Sequence, residues 1–209
     1  MKKIGIVGAG AMGSGIAQVA ARAGHSVVLF DTKAEALSLS KSKLASVMGR
    51  LVEKGRLTSE EAQEIQKRIS YAYQMEALSE SGIIIEAIIE NLDIKKGVLS
   101  SVESLVSKDC ILASNTSSLS IASIASACER SERVLGIHFF NPVPLMPLVE
   151  IIPAIQTADE IKDEAINIID SWKKITVLAK DTPGFIVNRV ARPFYGEAIR
   201  ILEEGIADV

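Results

Sequence analysis

The chain has 209 residues, enough to bury one good-sized core and the beginning of a second domain. It is 48% hydrophobic and 23% charged with a formal net charge of −3, which does not favour binding to nucleic acid or to an anionic membrane surface. The N-terminal apolar run is too short for a signal peptide, and Cys110 and Cys128 fit no metal-ligand spacing. We therefore expect a cytoplasmic protein with reduced thiols and no metal site.

Short β-branched runs alternate with longer amphipathic stretches, which is typical of a doubly wound α/β fold with a mostly parallel sheet. Strands are predicted at residues 4–7, 27–30, 83–86, 111–114, 134–138, 148–152 and 175–179. Between the second and third of these runs, residues 34–73 have helical spacing with one break near Gly55, so we predict a helical hairpin inserted in the fold. The pattern leaves open whether this hairpin is a surface decoration or binds substrate.

The sequence Asp-Thr-Pro-Gly at 181–184 ends the strand pattern, and residues 185–204 then predict one amphipathic helix. Its apolar positions include Phe194, Ile199 and Leu202, with little sequence after them to cover them. We therefore expect a nucleotide-binding domain at 1–182, followed at 183–209 by the start of a helical domain that is cut short.

Gly8, Gly10 and Gly13 directly follow the first predicted strand and open a helix, with Ala11 and Met12 between the last two. In this context the first glycine allows a tight turn, the second lets a pyrophosphate approach the backbone, and the third lets helix and strand pack closely. Because the spacing follows a strand and precedes a helix, it predicts a Rossmann dinucleotide site rather than a simple turn.

Asp31 lies at the end of the second predicted strand, eighteen residues beyond Gly13. A carboxylate at this position can accept hydrogen bonds from both ribose hydroxyls and would repel a 2′-phosphate. The sequence therefore predicts NAD rather than NADP as the cofactor.

His138 is the candidate general base, because it ends a predicted strand at the sheet edge where doubly wound folds bind ligands. Glu150 lies twelve residues later in an apolar run, and a carboxylate in a buried strand needs a partner. We expect Glu150 to orient the ring and stabilise the imidazolium. The alternative is a structural strand-end histidine beside a half-exposed glutamate. His25, in the turn before the second strand, is expected to be structural.

A second polar segment, Ser-Asn-Thr-Ser-Ser at 114–118, follows another predicted strand. Its side chains could contact a substrate carbonyl or the nicotinamide amide, or they could cap a helix. Asn188 lies in the first turn of the last predicted helix, and the pattern alone assigns it no chemistry.

Taken together, five segments resemble the L-3-hydroxyacyl-CoA dehydrogenase family, and the resemblance extends over all 209 residues: 8–13, 85–91, 114–119, 138–142 and 183–189. The resemblance implies that His138 is the catalytic histidine, that Glu150 is its partner, and that Ser117 and Asn188 contact the substrate hydroxyl and carbonyl. It also implies that Asp31 binds the adenosine ribose.

The same resemblance implies that Glu90, Lys95 and Asn115 line the rest of the cofactor site and that the helical hairpin meets coenzyme A. The expected reaction is the reversible oxidation of an L-3-hydroxyacyl-CoA by NAD, with the acyl-chain length and pathway left open. Members of the family dimerise through a helical domain, so a homo-oligomer is expected.

Two alternatives use the same fold. Dehydrogenases of the 2-hydroxyacid or 3-hydroxyisobutyrate type use a lysine base in a later helix, which would leave His138 and Glu150 unexplained. The other alternative is an NAD-binding or structural protein without turnover, which would follow if a missing helical domain prevents substrate closure.

Overall fold

The computed structural model describes residues 1–208, which contain eight strands and seven α-helices. The strands are β1 (Ile4–Val7), β2 (Val27–Phe30), β3 (Ile69–Ala72), β4 (Ile83–Glu86), β5 (Ile111–Ser114), β6 (Val134–Phe139), β7 (Leu148–Pro153) and β8 (Ile175–Leu178). The helices are α1 (Ala11–Arg22), α2 (Ala34–Glu53), α3 (Ser59–Lys67), α4 (Leu92–Glu103), α5 (Ile121–Ala125), α6 (Asp159–Ser171) and α7 (Val187–Glu203). Short 3-10 helices occupy Met75–Leu78 and Ser131–Arg133.

The strands form one sheet in the order β3-β2-β1-β4-β5-β6-β7-β8. Six of the seven pairings are parallel, and β6 with β7 is antiparallel. The predicted doubly wound, mostly parallel α/β fold is therefore confirmed. In a parallel sheet the carboxyl ends of neighbouring strands share one edge, so the segments that follow β1, β4, β5 and β6 are brought together.

The prediction for residues 34–73 is wrong at its C-terminal end. Helices α2 and α3 pack together as expected, but residues 69–72 then form β3, which pairs in parallel with β2. The helical pair is thus the crossover between two adjacent strands and is not an insertion without a strand. After the break predicted near Gly55, α3 begins with a capping box: the Thr58 side chain accepts from Glu61 N while the Glu61 carboxylate accepts from Thr58 N.

Both faces of the sheet are covered, as the continuously buried strands require. One apolar cluster joins the sheet to α1, α2, α3 and α6, and the other joins it to α4 and α5. Strands β1, β2, β4 and β5 are buried at every position, which accounts for their short, uninterrupted apolar runs.

Helix α7 differs from the other α-helices because none of its residues is buried. Its exposed apolar side chains include Val190, Phe194 and Ile199. The helix begins two residues later and ends one residue earlier than predicted, a difference within the usual uncertainty of helix ends. Within residues 1–208, the helices are all too short or too polar to span a bilayer.

Candidate active site

The turn after β1 has the geometry that its glycines predict. Gly8 has a φ of +103°, and a Cβ there would lie 2.7 Å from the Ala87 carbonyl oxygen. A Cβ at Gly13 would collide with the Gly8 carbonyl oxygen. A Cβ added at Gly10 would have no neighbouring atom within 4 Å. Gly10 is the N-cap of α1, and no side chain caps the helix there. The first N–H groups of α1 therefore face an open cradle suited to a phosphate.

Asp31 follows β2 and lies beside this turn. Its Oδ2 accepts a hydrogen bond from Ala9 N at 2.8 Å, and its Oδ1 accepts from Lys33 N at 2.9 Å. A carboxylate can accept about four hydrogen bonds, so Asp31 keeps capacity for ribose hydroxyls while it is held against the turn.

A buried ionic cluster connects the end of β4 to the first turn of α4. The Lys95 ammonium is 1% exposed and lies 2.7 Å from Glu86 Oε1 and 3.3 Å from Glu90 Oε2. Glu86 is fully buried, and its Oε2 accepts from Ser114 Oγ at 2.6 Å. This carboxylate therefore joins the ends of β4 and β5 to α4, and pairing with Lys95 compensates for its burial.

Glu90 connects this cluster to the segment after β5. Its Oε1 accepts from Thr116 Oγ1 at 2.6 Å, from Ser117 N at 2.8 Å and from Ser117 Oγ at 3.1 Å. Burial alone would raise the pKa of Glu90, but these hydrogen bonds and the charge of Lys95 outweigh it, so its pKa is lowered. Asn115 braces the same segment, because its Oδ1 accepts from Phe139 N at 2.8 Å.

His138 and Glu150 are opposite one another in the antiparallel pairing of β6 and β7. His138 Nδ1 lies 2.7 Å from Glu150 Oε2, and the two residues are 6% and 0% exposed. The imidazole is flanked by Phe140 and Phe185, with ring centroids 4.5 and 5.7 Å away. The pairing predicted from the sequence is present, in a largely apolar environment that strengthens it.

The second oxygen of Glu150 contacts the start of α7. Glu150 Oε1 accepts from Ile186 N and Val187 N, each at 2.9 Å, and so satisfies two backbone donors at the helix start. Asn188 follows directly, and its Nδ2 donates to the Ser117 carbonyl oxygen at 3.2 Å. The four predicted catalytic residues therefore belong to one connected constellation.

His25 lies just before β2, at the amino end of the strand and therefore at the end of the sheet opposite to the carboxyl edge. Its Nδ1 is 2.8 Å from the Lys2 carbonyl oxygen, and its ring packs against Trp172. His25 is 5% exposed and lies at the other end of the strands from the carboxyl edge, so its contacts are those of a structural residue.

A groove with a cavity volume of about 580 Å³ lies between α1, α2 and residues 141–145. Three basic side chains line it: Arg22, Lys43 and Arg56. The remaining walls include Leu39, Leu44 and Val47 of α2. The groove thus offers apolar contact together with positive charge, next to the glycine turn.

Two parts of this site are not predicted from the sequence. Glu86 received no role, although it is a carboxylate in an apolar strand, the feature that drew attention to Glu150. The contact of Glu150 with the start of α7 joins residues 36 and 37 positions apart, and no local pattern indicates it.

Family models match almost the whole chain. Residues 3–182 match the NAD-binding domain of 3-hydroxyacyl-CoA dehydrogenase, and residues 184–209 match the C-terminal domain of the same family. Among curated relatives, 3-hydroxyadipyl-CoA dehydrogenase of Escherichia coli K12 is 41% identical over 207 residues, which are 99% of this chain and 44% of that protein. A probable 3-hydroxybutyryl-CoA dehydrogenase of Bacillus subtilis 168 is also 41% identical, over 99% of this chain and 72% of its own length.

Solved structures of 3-hydroxybutyryl-CoA dehydrogenases have the same fold as this chain. A 3-hydroxybutyryl-CoA dehydrogenase from Escherichia coli K12 superposes with a TM-score of 0.96 at 41% identity, covering 99% of this chain and 44% of that one. The (S)-3-hydroxybutyryl-CoA dehydrogenase PaaH1 from Ralstonia eutropha gives 0.96 at 39% identity, covering 100% and 74%. This chain therefore spans less than half the length of some relatives and about three quarters of others.

Proposed function

Because the chain belongs to the 3-hydroxyacyl-CoA dehydrogenase family, we propose that it catalyses the reversible NAD-dependent oxidation of an L-3-hydroxyacyl-CoA to the 3-ketoacyl-CoA. The observation that carries the proposal is the buried 2.7 Å pair of His138 and Glu150 at the carboxyl edge of the sheet. This edge also carries the glycine turn, so a base and a dinucleotide site lie along the same side of the fold.

His138 acts as the general base. Its Nδ1 is engaged by Glu150, which leaves Nε2 to take the proton of the C3 hydroxyl in oxidation and to return it in reduction. A positioned base of this kind contributes about 10² to 10⁴ in rate.

Glu150 orients the imidazole and stabilises the imidazolium that forms when the proton is taken. Its carboxylate is fully buried, so its attraction for the charged ring is weakly screened by solvent. The hydrogen bonds from Ile186 N and Val187 N hold the carboxylate in place, so the ring is held through Glu150 by the start of α7.

The residues around the glycine turn fit NAD. When bound, NAD supplies the acceptor for the hydride that leaves C3. The open space at Gly10 and the uncapped start of α1, with Ala11 and Met12, would receive the pyrophosphate. Asp31 would accept hydrogen bonds from the adenosine ribose and disfavour a 2′-phosphate.

Ser117 and Asn188 would bind the reacting oxygen of the substrate. Ser117 Oγ is within reach of Glu90, and Asn188 is held against the Ser117 backbone, so the two polar side chains lie on adjoining walls. Donors aimed at an oxygen on which charge changes lower the barrier of the chemical step.

Glu90, Lys95 and Asn115 would line the nicotinamide side of the cofactor. Lys95 is almost inaccessible, so its contribution would pass mainly through Glu90, which it holds at 3.3 Å. Asn115 is fixed by its hydrogen bond from Phe139 N, the residue after His138, which ties this wall to the base.

The groove between α1 and α2 would take the coenzyme A part of the substrate. Arg22, Lys43 and Arg56 supply cations for its phosphates, and the apolar wall of α2 supplies contact area. This assigns the helical pair α2 and α3 a binding role. The exposed apolar face of α7 would contact a second copy of the chain, as in dimeric members of the family.

The proposal is tested by following NADH consumption with acetoacetyl-CoA and, in parallel, with acetoacetate. Fast turnover only with the CoA ester supports it. Equal rates with both would favour an enzyme for short hydroxyacids, and NADH binding without turnover would favour an NAD-binding module.

A further inference from the structure

Lys174 precedes β8 and has no role in the proposed chemistry. It is 9% exposed, and its Nζ donates to the carbonyl oxygens of Val143 at 2.6 Å and Met146 at 2.7 Å. Both acceptors lie in the segment 140–147, which connects β6, the strand of the proposed catalytic histidine, to β7.

The Lys174 ammonium is held by carbonyl groups rather than by an acid. It is absent from the ion pairs formed within residues 1–208. Burial lowers the pKa of Lys174, which reflects the cost of keeping this cation away from water. The Lys174 ammonium donates charge-assisted hydrogen bonds to two backbone carbonyl groups, and such bonds hold both carbonyl groups in position.

The segment that Lys174 holds forms one wall of the groove. Residues 141–145 line it, and Leu145 N and Met146 N both donate to the Pro142 carbonyl oxygen, so the segment is a tight turn. On its other side the segment rests on α1: a Cβ at Gly15 would lie 2.9 Å from Val143 Cβ. The turn therefore packs against Gly15 on one side and is hydrogen-bonded to Lys174 on the other.

We propose that Lys174 is a positioning residue for the acyl-CoA site. Its hydrogen bonds hold the 143–146 turn against α1, and so fix the position of one wall of the groove. This inference rests on the proposed function, because it assumes that the groove receives coenzyme A. Ala9, Gly10 and Ala11 of the glycine turn line the same groove as residues 141–145. A positioning role therefore weakens acyl-CoA binding more than NADH binding, whereas a general stabilising role weakens both equally.

The experiment measures binding of acetoacetyl-CoA and of NADH by calorimetry for the parent chain, Lys174→Met and Lys173→Met. Methionine has nearly the same length but no N–H donors, so two carbonyl groups lose their partner. Lys173 is the exposed neighbour and makes a matched control. We expect Lys174→Met to bind acetoacetyl-CoA about tenfold more weakly and NADH within about twofold of the parent, and Lys173→Met to match the parent.

A second measurement covers the case in which Lys174→Met is poorly folded. Hydrogen exchange of the Leu145 and Met146 amides should accelerate in Lys174→Met while the amides of β1 and β4 keep their protection. Unchanged acetoacetyl-CoA affinity, or an equal loss for both ligands, would overturn the positioning role. A parent chain that binds NADH but not acetoacetyl-CoA would instead overturn the assignment of the groove, and the positioning role with it.

Discussion

Glu150 uses its two carboxylate oxygens for different elements: Oε2 lies 2.7 Å from His138 Nδ1 on β6, and Oε1 accepts from Ile186 N and Val187 N at the start of α7. One buried side chain thus connects the proposed base to the helix that carries Asn188. A change at this carboxylate should therefore affect both chemistry and stability.

The substitution Glu150→Gln replaces an acceptor-only group by an amide whose NH₂ must face either the histidine or the backbone donors. We expect turnover to fall by about 10² or more, because the imidazolium loses its carboxylate. The free energy of unfolding should fall by about 1–3 kcal/mol, since a buried hydrogen-bond partner is lost. Steady-state kinetics and urea unfolding measure the two effects. An unchanged stability with full activity would contradict the dual role.

The substitution Asp31→Asn removes the charge that disfavours a 2′-phosphate but keeps an acceptor for Ala9 N. We expect weaker NADH binding and a smaller preference for NADH over NADPH, by about tenfold in the ratio of dissociation constants. Calorimetry with both nucleotides gives this ratio. Glu35→Gln, an exposed change in the first turn of α2, is the control and should leave it unaltered.

The lowered pKa of Glu103 should make the stability of the fold depend on pH. Burial would raise the pKa of this carboxyl, but hydrogen bonds from Arg130 N, the Arg133 guanidinium and Glu129 N lower it below its usual value. A group whose folded-state pKa is lowered stabilises the fold above its unfolded pKa, and this contribution disappears as pH falls through the folded-state pKa.

The substitution Glu103→Gln should accordingly lower the Tm at neutral pH, and the difference from the parent should shrink below about pH 4, near the unfolded pKa of glutamate. Thermal unfolding across a pH series checks this. A Tm difference that is constant from neutral to acidic pH would mean that the carboxylate charge is not the cause.

The two cysteines should be unreactive in the folded protein. Burial raises the pKa of Cys110 to about 11, and burial together with the nearby Glu103 raises that of Cys128 to about 12. Because the thiolate is the reactive form, titration with dithionitrobenzoate at about pH 8 should detect no fast thiol in the native chain and both after denaturation. Rapid native reaction of either thiol would show that its region opens readily.

Helix α7 should mediate self-association. Phe194 is 74% exposed and Val190 is 70% exposed on a helix without buried residues. We expect light scattering to show a concentration-dependent increase in mass for the parent, and Phe194→Ser to weaken it by about tenfold or more in dissociation constant. A parent that stays monomeric at high concentration would rule out this contact.

The fold and much of the candidate site could be predicted because their determinants are local. The glycine turn, Asp31 and the position of His138 near the end of β6 follow from short motifs beside apolar runs. Strand β3 was missed because its four residues carry only one buried side chain, Ile69, and follow a helix without a clear break. Glu86 and Lys174 were missed because their partners, Ser114 and Val143, are about thirty residues away in sequence.

The role of His138 is tested by comparing NADH oxidation by acetoacetyl-CoA in the parent chain, His138→Gln and His25→Gln, with NADH affinity measured by calorimetry in each. His25 is the matched control, because it is a buried histidine at the opposite edge of the sheet. We expect turnover in the parent and in His25→Gln. In His138→Gln we expect turnover to fall by about 10² or more, with NADH affinity within about twofold of the parent. A His138→Gln variant that turns over at the parent rate would contradict the assignment of His138 as the base.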